Sequence, residues 1–244
     1  MNKKKIILAI PVFNGKKYIE ETLQELENFK LTFDFDLKVI FCDDGSFDGT
    51  PEKFNEEKNK KYNLNWNFLS YQKNCGKGFA LKKVFENIKN EEFDFFAFTD
   101  IELPYGLDFL NQSTNFENYN FIFGNRKINK ARQYKFYRKI MSKIFRLFLP
   151  TELKKYTDTQ CGLKIFDKNS AEIIFSKIKT GRWVFDLEIF LLAEKNNFKK
   201  KELPVIIKEK CLINRGGVSF FKHGFFILKD LLVIHFYNKK KKYE

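Results

Sequence analysis

Short apolar runs and longer stretches with apolar residues every three or four positions alternate through the first half of the chain. The short runs predict buried strands at residues 6–10, 37–42, 64–70, 93–99 and 120–124. The longer stretches predict helices at 16–29, 50–61, 78–88 and 105–116. Strand and helix in strict alternation is the signature of βαβ units and a parallel sheet. The second half is less regular. It predicts a basic helix at 132–149, a strand at 163–166, helices at 169–177 and 185–195, a strand at 202–207 and a last helix at 219–237. No repeat, low-complexity block or Pro/Gly-rich linker divides the chain. The expected fold is therefore a single α/β domain over 1–244, with a mostly parallel central sheet flanked by helices.

Charged residues concentrate where these strands end. Asp43-Asp44-Gly45-Ser46-Phe47-Asp48-Gly49-Thr50 follows the second strand, with Asp48 as the expected helix N-cap and Pro51 in the first turn. Two carboxylates at the carboxyl end of a parallel strand stand where open α/β sheets bind nucleotides. Taken alone, the turn also fits a simple capped loop. Asp100-Ile101-Glu102 follows the Phe-rich fourth strand. Two acids one residue apart suit Mg²⁺ or Mn²⁺, which share oxygen ligands with substrate phosphates; a solvated Glu102 is the other reading. Lys73-Asn74-Cys75-Gly76-Lys77-Gly78 is a basic glycine loop before a helix. It can bring N–H groups and a lysine to a phosphate, or be an ordinary turn, and it lacks the P-loop spacing.

Composition narrows the partners. The 244 residues carry a net charge of +14 and are 43% hydrophobic, which suits a folded protein with an anionic ligand or surface. No nucleic-acid-binding motif accompanies the charge, so nucleic acid is not expected. Cys42, Cys75, Cys161 and Cys211 form no C-x-x-C pair and read as reduced thiols of a cytoplasmic protein. The apolar run before Pro11 is too short for a signal-peptide core, and no run reaches transmembrane length. The only histidines, His223 and His235, lie near the C-terminus, so no Ser-His or Cys-His nucleophile system is visible.

Pro11-Val12-Phe13-Asn14, the 43–50 turn, the 74–78 loop, Asp100/Glu102 and Gly124-Asn125-Arg126 occur in one order along the chain. In that order they resemble the inverting nucleotide-sugar glycosyltransferases of family 2, which have the GT-A fold. Asp158-Thr159-Gln160-Cys161-Gly162-Leu163-Lys164-Ile165-Phe166 and Arg182-Trp183-Val184-Phe185-Asp186-Leu187-Glu188 are more specific. They resemble the polyprenyl-phosphate branch, dolichyl-phosphate β-glucosyltransferases first and dolichol-phosphate mannose synthases next. The resemblance covers about residues 5–237.

The resemblance implies a hexose carried from a nucleotide sugar, UDP-glucose first and GDP-mannose next, to a polyprenyl phosphate. It implies a nucleotide-binding half at 1–126, an acceptor-side half at 127–217 and a basic amphipathic segment at 218–244. Pro11, Phe13, Asp43, Asp44, Lys77, Asp100, Ile101, Lys210 and Arg215 are the implied nucleotide-sugar contacts, and Asp100 and Glu102 the implied metal ligands. Arg126, Asp158, Gln160 and Asp186 are the implied groups at the reaction centre, where Asp158 either orients or deprotonates the acceptor or holds basic groups in place. Three positions depart from the pattern: Phe13 and Gly15 stand where the family carries a tyrosine and a glutamate, and Glu102 makes D-x-E of the usual D-x-D. Transfer to a glycan hydroxyl is a second enzyme reading, and the Gly15 and Glu102 departures leave open a non-catalytic sugar-nucleotide-binding or scaffolding subunit.

A lipid phosphate is already an anion and needs no general base, unlike a sugar hydroxyl. Arg132, Lys135, Arg138, Lys139, Lys143 and Arg146 share a segment with Tyr137, Ile140, Met141, Ile144 and Phe148 at helical spacing. Phe221, Phe225, Leu228 and Leu232 form a second stripe, followed by Lys239–Lys242. Basic amphipathic helices can lie in a membrane interface, and the same pattern also suits a helix packed on a core. The expectation is a peripheral enzyme on an anionic cytoplasmic membrane face, with a membrane-anchoring partner allowed for.

Overall fold

The computed structural model describes residues 3–30, 35–111, 118–126, 149–182, 184–213 and 229–234. β1 (Lys5–Val12), β2 (Asp36–Asp44), β3 (Asn65–Tyr71) and β4 (Phe95–Phe98) alternate with α1 (Ile19–Lys30), α2 (Thr50–Lys58) and α3 (Lys77–Ile88). β5 (Phe121–Asn125), β6 (Lys164–Asp167), α4 (Lys168–Lys177), α5 (Phe185–Lys195), β7 (Lys200–Pro204) and α6 (Glu209–Ile213) complete the described elements. All seven strands join one sheet in the order β3-β2-β1-β4-β6-β5-β7. Only β6 runs antiparallel, to β4 and β5. The mostly parallel sheet expected from the alternation is therefore observed.

Side-chain alternation along the strands divides the core in two. Ile7 and Ala9 of β1 and Phe96 and Phe98 of β4 face one layer with α3, α4 and α5. Ile6, Leu8, Ile10 and Val12, with Phe95 and Ala97, face the α1 and α2 side. Phenylalanine fills much of both layers: Phe121 stacks on Phe166 at 4.9 Å, and Phe85 on Phe175 at 5.2 Å. A buried aromatic contributes its transferred area plus a small geometric gain, so these rings carry much of the hydrophobic stabilisation.

Several expected boundaries move, each for a local reason. The helix expected at 105–116 is not a helix in its described part; 108–111 form a single 3₁₀ turn. Leu103 at φ +45° and Pro104 start a loop there, and Leu107, Phe109 and Leu110 supply the apolar spacing by packing that loop on the core. The last strand lies at Lys200–Pro204 instead of 202–207, because β5 offers it partners only from Phe121 to Asn125. α2 is capped at Gly49, in a left-handed conformation, and not at Asp48. Asp48 instead accepts from the N–H and hydroxyl of Thr50 and from the N–H of Lys16. Residues 229–234 are helical, with Leu231 and Ile234 buried and Leu232 63% exposed, so Leu232 is not on the packed face of this piece. The basic run 132–148, Arg215, both histidines, Trp183, Phe221, Phe225, Leu228 and Lys239–Lys242 lie outside the described residues.

α2 is anchored by a buried carboxylate. Glu57 is fully buried and pairs with Lys53 at 2.7 Å and Lys60 at 2.9 Å, and Tyr62 donates its hydroxyl to it. Burial alone would raise its pKa, but the bonds from Lys53, Tyr62 and Lys60 together outweigh that and hold it down to about 2. A depressed carboxyl adds stability above its unfolded value and loses it as pH falls toward the folded one. Urea denaturation of the wild type and of Glu57→Gln should therefore differ most at neutral pH and converge between the ordinary glutamate range and about pH 2. A gap independent of pH would refute this assignment.

Candidate active site

β1 pairs in parallel with both β2 and β4, so the carboxyl ends of all three open on one edge. The chain proceeds from β1 to β2 and β3 on one side and to β4 on the other. This reversal of strand order creates a crevice at the carboxyl edge, the usual ligand site of open α/β sheets.

Asp100, just past β4, lies at this carboxyl edge. The Lys77 ammonium, at the start of α3, meets its Oδ1 at 2.5 Å. Burial opposes the charge of Lys77, but the carboxylates of Asp100 and Asp186 outweigh it and raise the lysine above its ordinary range. Below Asp100 lies Gly162. A Cβ there would come 2.3 Å from Asp100 Oδ2, so the carboxylate can occupy this place only above a glycine. Gly162→Ala should push Asp100 aside and lower nucleotide-dependent turnover about a hundredfold, the scale of a 1 Å misplacement, with little change in thermal midpoint. Wild-type kinetics in that variant would show that the close approach is not needed.

The 158–164 segment wraps this point. Asp158, 4% exposed, receives Arg126 in a fork, Nε to Oδ2 at 2.8 Å and Nη2 to Oδ1 at 2.7 Å, and also the Arg126 backbone N–H. Of the two roles open for Asp158, the geometry realises the one that holds a basic group in place. Lys164 is fully buried in β6. It pairs with Asp186 at 2.5 Å and donates to the carbonyls of Cys161 and Thr159 at 2.7 and 3.3 Å. One ammonium therefore fixes both the 159–161 loop and the Asp186 carboxylate. Thr99 Oγ1 and Gln160 Nε2 are buried with no hydrogen-bond partner among the described residues. Such a group pays its full desolvation penalty unless a ligand or water satisfies it.

A second clamp holds the glycine loop. Asp44 Oδ1 accepts from the Cys75 N–H and the Tyr71 hydroxyl, each at 2.7 Å. Its Oδ2 accepts from the Gly76 N–H at 2.7 Å and Asn74 Nδ2 at 2.9 Å. Arg182 donates to Asn74 Oδ1 and to the Asn74 carbonyl. Asp44 thus accepts three bonds from the loop that carries Lys77 and one from Tyr71 of β3, so a nucleoside would meet it only through these donors or by displacing one. Asp43 is also internal, accepting from the Ser46 N–H and the Ser70 hydroxyl.

The two acids of the D-x-E triplet part company. A turn closed by Leu103 N–H on the Asp100 carbonyl sends Glu102 to a cavity of about 160 Å³ beside α1, lined also by Tyr18, Glu21, Thr22, Glu25, Lys210 and Cys211. No cluster of three or more His, Cys, Asp or Glu side chains suited to a metal occurs among the described residues. Asp100 itself is not among the residues that line that cavity. Asp100 alone still fits a cation, since Lys77 already places a positive charge on its Oδ1, and Mg²⁺ sites commonly use one or two carboxylates plus substrate phosphates. Lys210 pairs with Glu21 across that cavity, away from Asp100. Ile101 is 8% exposed in the core, and its carbonyl accepts from Thr22. Pro11 is the penultimate residue of β1, opposite Cys42, and Phe13 stands 47% exposed just beyond the strand. At Gly15 a Cβ would lie 2.6 Å from Val12 Cγ1, which explains why no side chain stands there.

Spacing alone gives no role to Lys164, Gly162, Arg182 or Tyr71. Only Lys164 carries a signal, a lone ammonium inside the apolar run Leu163–Phe166, and a lysine is rarely buried without a partner.

The Glycosyl transferase family 2 model matches residues 7–219. A dolichyl-phosphate β-glucosyltransferase of Dictyostelium discoideum is 26% identical over 242 residues, covering 94% of this chain and 73% of that protein. The glucosyl-3-phosphoglycerate synthase of Mycobacterium tuberculosis, solved with UDP, superposes with a TM-score of 0.64 at 16% identity, over 95% of this chain and 80% of that one. The mannosyltransferase PcManGT of Pyrobaculum calidifontis, solved with GDP-Man and Mn²⁺, superposes with a TM-score of 0.58 at 16% identity, over 84% of this chain and 56% of that one. The sheet order, the crevice at its switch point and the match over residues 7–219 agree: the chain belongs to glycosyl transferase family 2 and has its GT-A fold.

Proposed function

We propose that this hexosyltransferase moves a hexose, glucose first and mannose next, from a nucleotide sugar to a polyprenyl phosphate with inversion at the anomeric carbon. The observation that carries the reading is the Asp100 carboxylate, seated on Gly162 at the switch-point crevice with a cation on its Oδ1. Asp100, with Glu102 two residues on, would hold a Mg²⁺ or Mn²⁺ that meets the donor diphosphate. That ion would supply charge neutralisation for the departing nucleoside diphosphate. Lys77 and Arg126 add fixed positive charge on the same side. Gln160 Nε2 and Thr99 Oγ1 are buried polar atoms that substrate oxygens would satisfy.

The carboxylates support an anionic acceptor. Asp158 is paired with Arg126 and Asp186 with Lys164, which favours a structural role for both over that of a general base. An acceptor that is already an anion needs no such group. The basic segments at 132–146 and 239–242 and the net charge of +14 support an anionic membrane surface as the place where it is met. No helix among the described residues is long and apolar enough to cross a membrane.

The test is a screen of radiolabelled UDP-glucose and GDP-mannose with a polyprenyl phosphate in anionic vesicles, with Mg²⁺ or Mn²⁺. Label should move into the organic phase and remain there as an acid-labile lipid-linked sugar. Transfer only to water-soluble glycans would replace the lipid by a glycan hydroxyl. Neither transfer nor donor hydrolysis would leave a nucleotide-sugar-binding subunit.

A further inference from the structure

We propose that Asn125 is a positioning residue, which aims Arg126 by holding the loop that carries Asp158. The inference rests on the reading above, in which Arg126 supplies fixed positive charge to the reaction. Asn125 is the last residue of β5 and is 1% exposed. Its amide nitrogen donates to Thr157 Oγ1 and to Glu202 Oε1, each at 2.6 Å. The amide has two N–H hydrogens, one for each partner. A threonine hydroxyl can donate or accept, but a carboxylate only accepts, so Glu202 fixes which way the amide turns. The strand register supplies this partner. Phe123 pairs with Glu202 and Asn125 with Pro204, so Glu202 is the diagonal neighbour of Asn125 on the same face. The Asn125 carbonyl also accepts from the Val205 N–H at 3.0 Å. The ends of β5 and β7 are thus fixed to each other, and the amide reaches the loop from a rigid base.

Residues 156–158 belong to no helix or strand, so side chains must set their place. Three do so in turn. The Tyr156 ring packs on Phe123 and Phe190, with centroids 5.6 and 4.6 Å apart, and its hydroxyl meets Glu194. The Thr157 hydroxyl is caught by Asn125. Asp158 then receives the Arg126 backbone N–H and both arms of its guanidinium fork. The contacts leave β5 at Asn125, pass through two loop residues and return at the very next position of the chain. A fork of two bonds fixes the plane of a guanidinium, and it does so only if the carboxylate that accepts them is itself fixed. Asn125 meets that condition from the strand on which Arg126 begins.

Initial rates of sugar transfer to a polyprenyl phosphate, each read well below the variant's thermal midpoint, test this. Asn125→Asp keeps the size of the side chain but removes both donors and sets a carboxylate against Glu202. It should lower turnover about ten- to a hundredfold, the upper figure being the scale of a 1 Å misplacement. Asn125→Asp combined with Glu202→Gln reverses the polarity of the join, since the introduced amide and the Thr157 hydroxyl can both donate to the introduced carboxylate. Turnover should then return to within about threefold of wild type. In an Arg126→Ala background Asn125→Asp should cost less than about threefold more, because residues that act through one another are not additive. Losses of equal size in both backgrounds would make Asn125 a support of the fold in general and overturn the role. Wild-type turnover in Asn125→Asp, or no recovery in the combined variant, would overturn it as well, with the transferase reading left intact. If wild-type protein transfers no sugar, the inference falls together with the reading beneath it.

Discussion

Asp100→Asn is expected to lower sugar transfer about a thousandfold, equivalent to about 4 kcal/mol of lost transition-state stabilisation. The asparagine is nearly isosteric, so it fits above Gly162 and can still accept the Lys77 hydrogen bond. What it loses is the negative charge that would hold a divalent ion against the departing diphosphate. The fold should tolerate the change. The side chains of Lys77 and Asp100 are 27% and 31% exposed, and a pair so placed adds little net stability. Initial rates at saturating donor and metal, beside a thermal melt, separate the two effects. Turnover within a few-fold of wild type would remove Asp100 from the chemistry and leave it as the partner of Lys77.

Lys164→Met should have the largest effect on stability. Lys164 is fully buried, and its three acceptors are the Asp186 carboxylate and two loop carbonyls. Removing one partner of a buried ion pair costs about 3–5 kcal/mol, because the other charge is left uncompensated. In a chain of this size that lowers the thermal midpoint by roughly 6–20 °C. Replacing Asp186 as well, as Lys164→Met with Asp186→Leu, should recover part of the loss, since two apolar groups of similar volume can substitute for a buried pair. Chemical denaturation of the single and double variants measures both. A single variant that loses less than about 1 kcal/mol would show that Lys164 is not what holds the 159–161 loop.

The two predictions differ in how far the sequence announced them. Asp100 was visible at once, as an acid directly after a Phe-rich run that had to be a strand. Lys164 stood inside a recognised motif without a role, because its partner Asp186 lies 22 residues further on and belongs to a helix. Asp44 was legible as a carboxylate at a strand end, and its engagement with the glycine loop was not. Its donors come from 27 to 32 residues away, and two of the four are backbone N–H groups, which every residue but proline has.

The D-x-E triplet shows the same limit at short range. Two positions apart on a strand means one face, so the spacing suggested a joint metal site. The backbone has already left the strand at Phe98, and a turn closed by the Leu103 N–H on the Asp100 carbonyl, with Leu103 at φ +45°, leaves Glu102 lining the cavity beside α1. Nothing in the side-chain pattern marks that turn, since leucine seldom adopts a positive φ.

The sequence by itself determined the order and type of the elements from β1 to α3, and with them the edge of the sheet that would carry the acids. Burial imposes a period on apolar residues, and that period survives in the chain as a readable signal. Tertiary structure alone decided that β6 would run antiparallel between β4 and β5, seating Gly162 beneath Asp100. It also decided which ammonium would meet which carboxylate: Lys77 with Asp100, Arg126 with Asp158, and Lys164 with Asp186. A charge pattern names the candidates for an ion pair, but the choice among them depends on which strand ends and loops the packed core brings within about 3 Å.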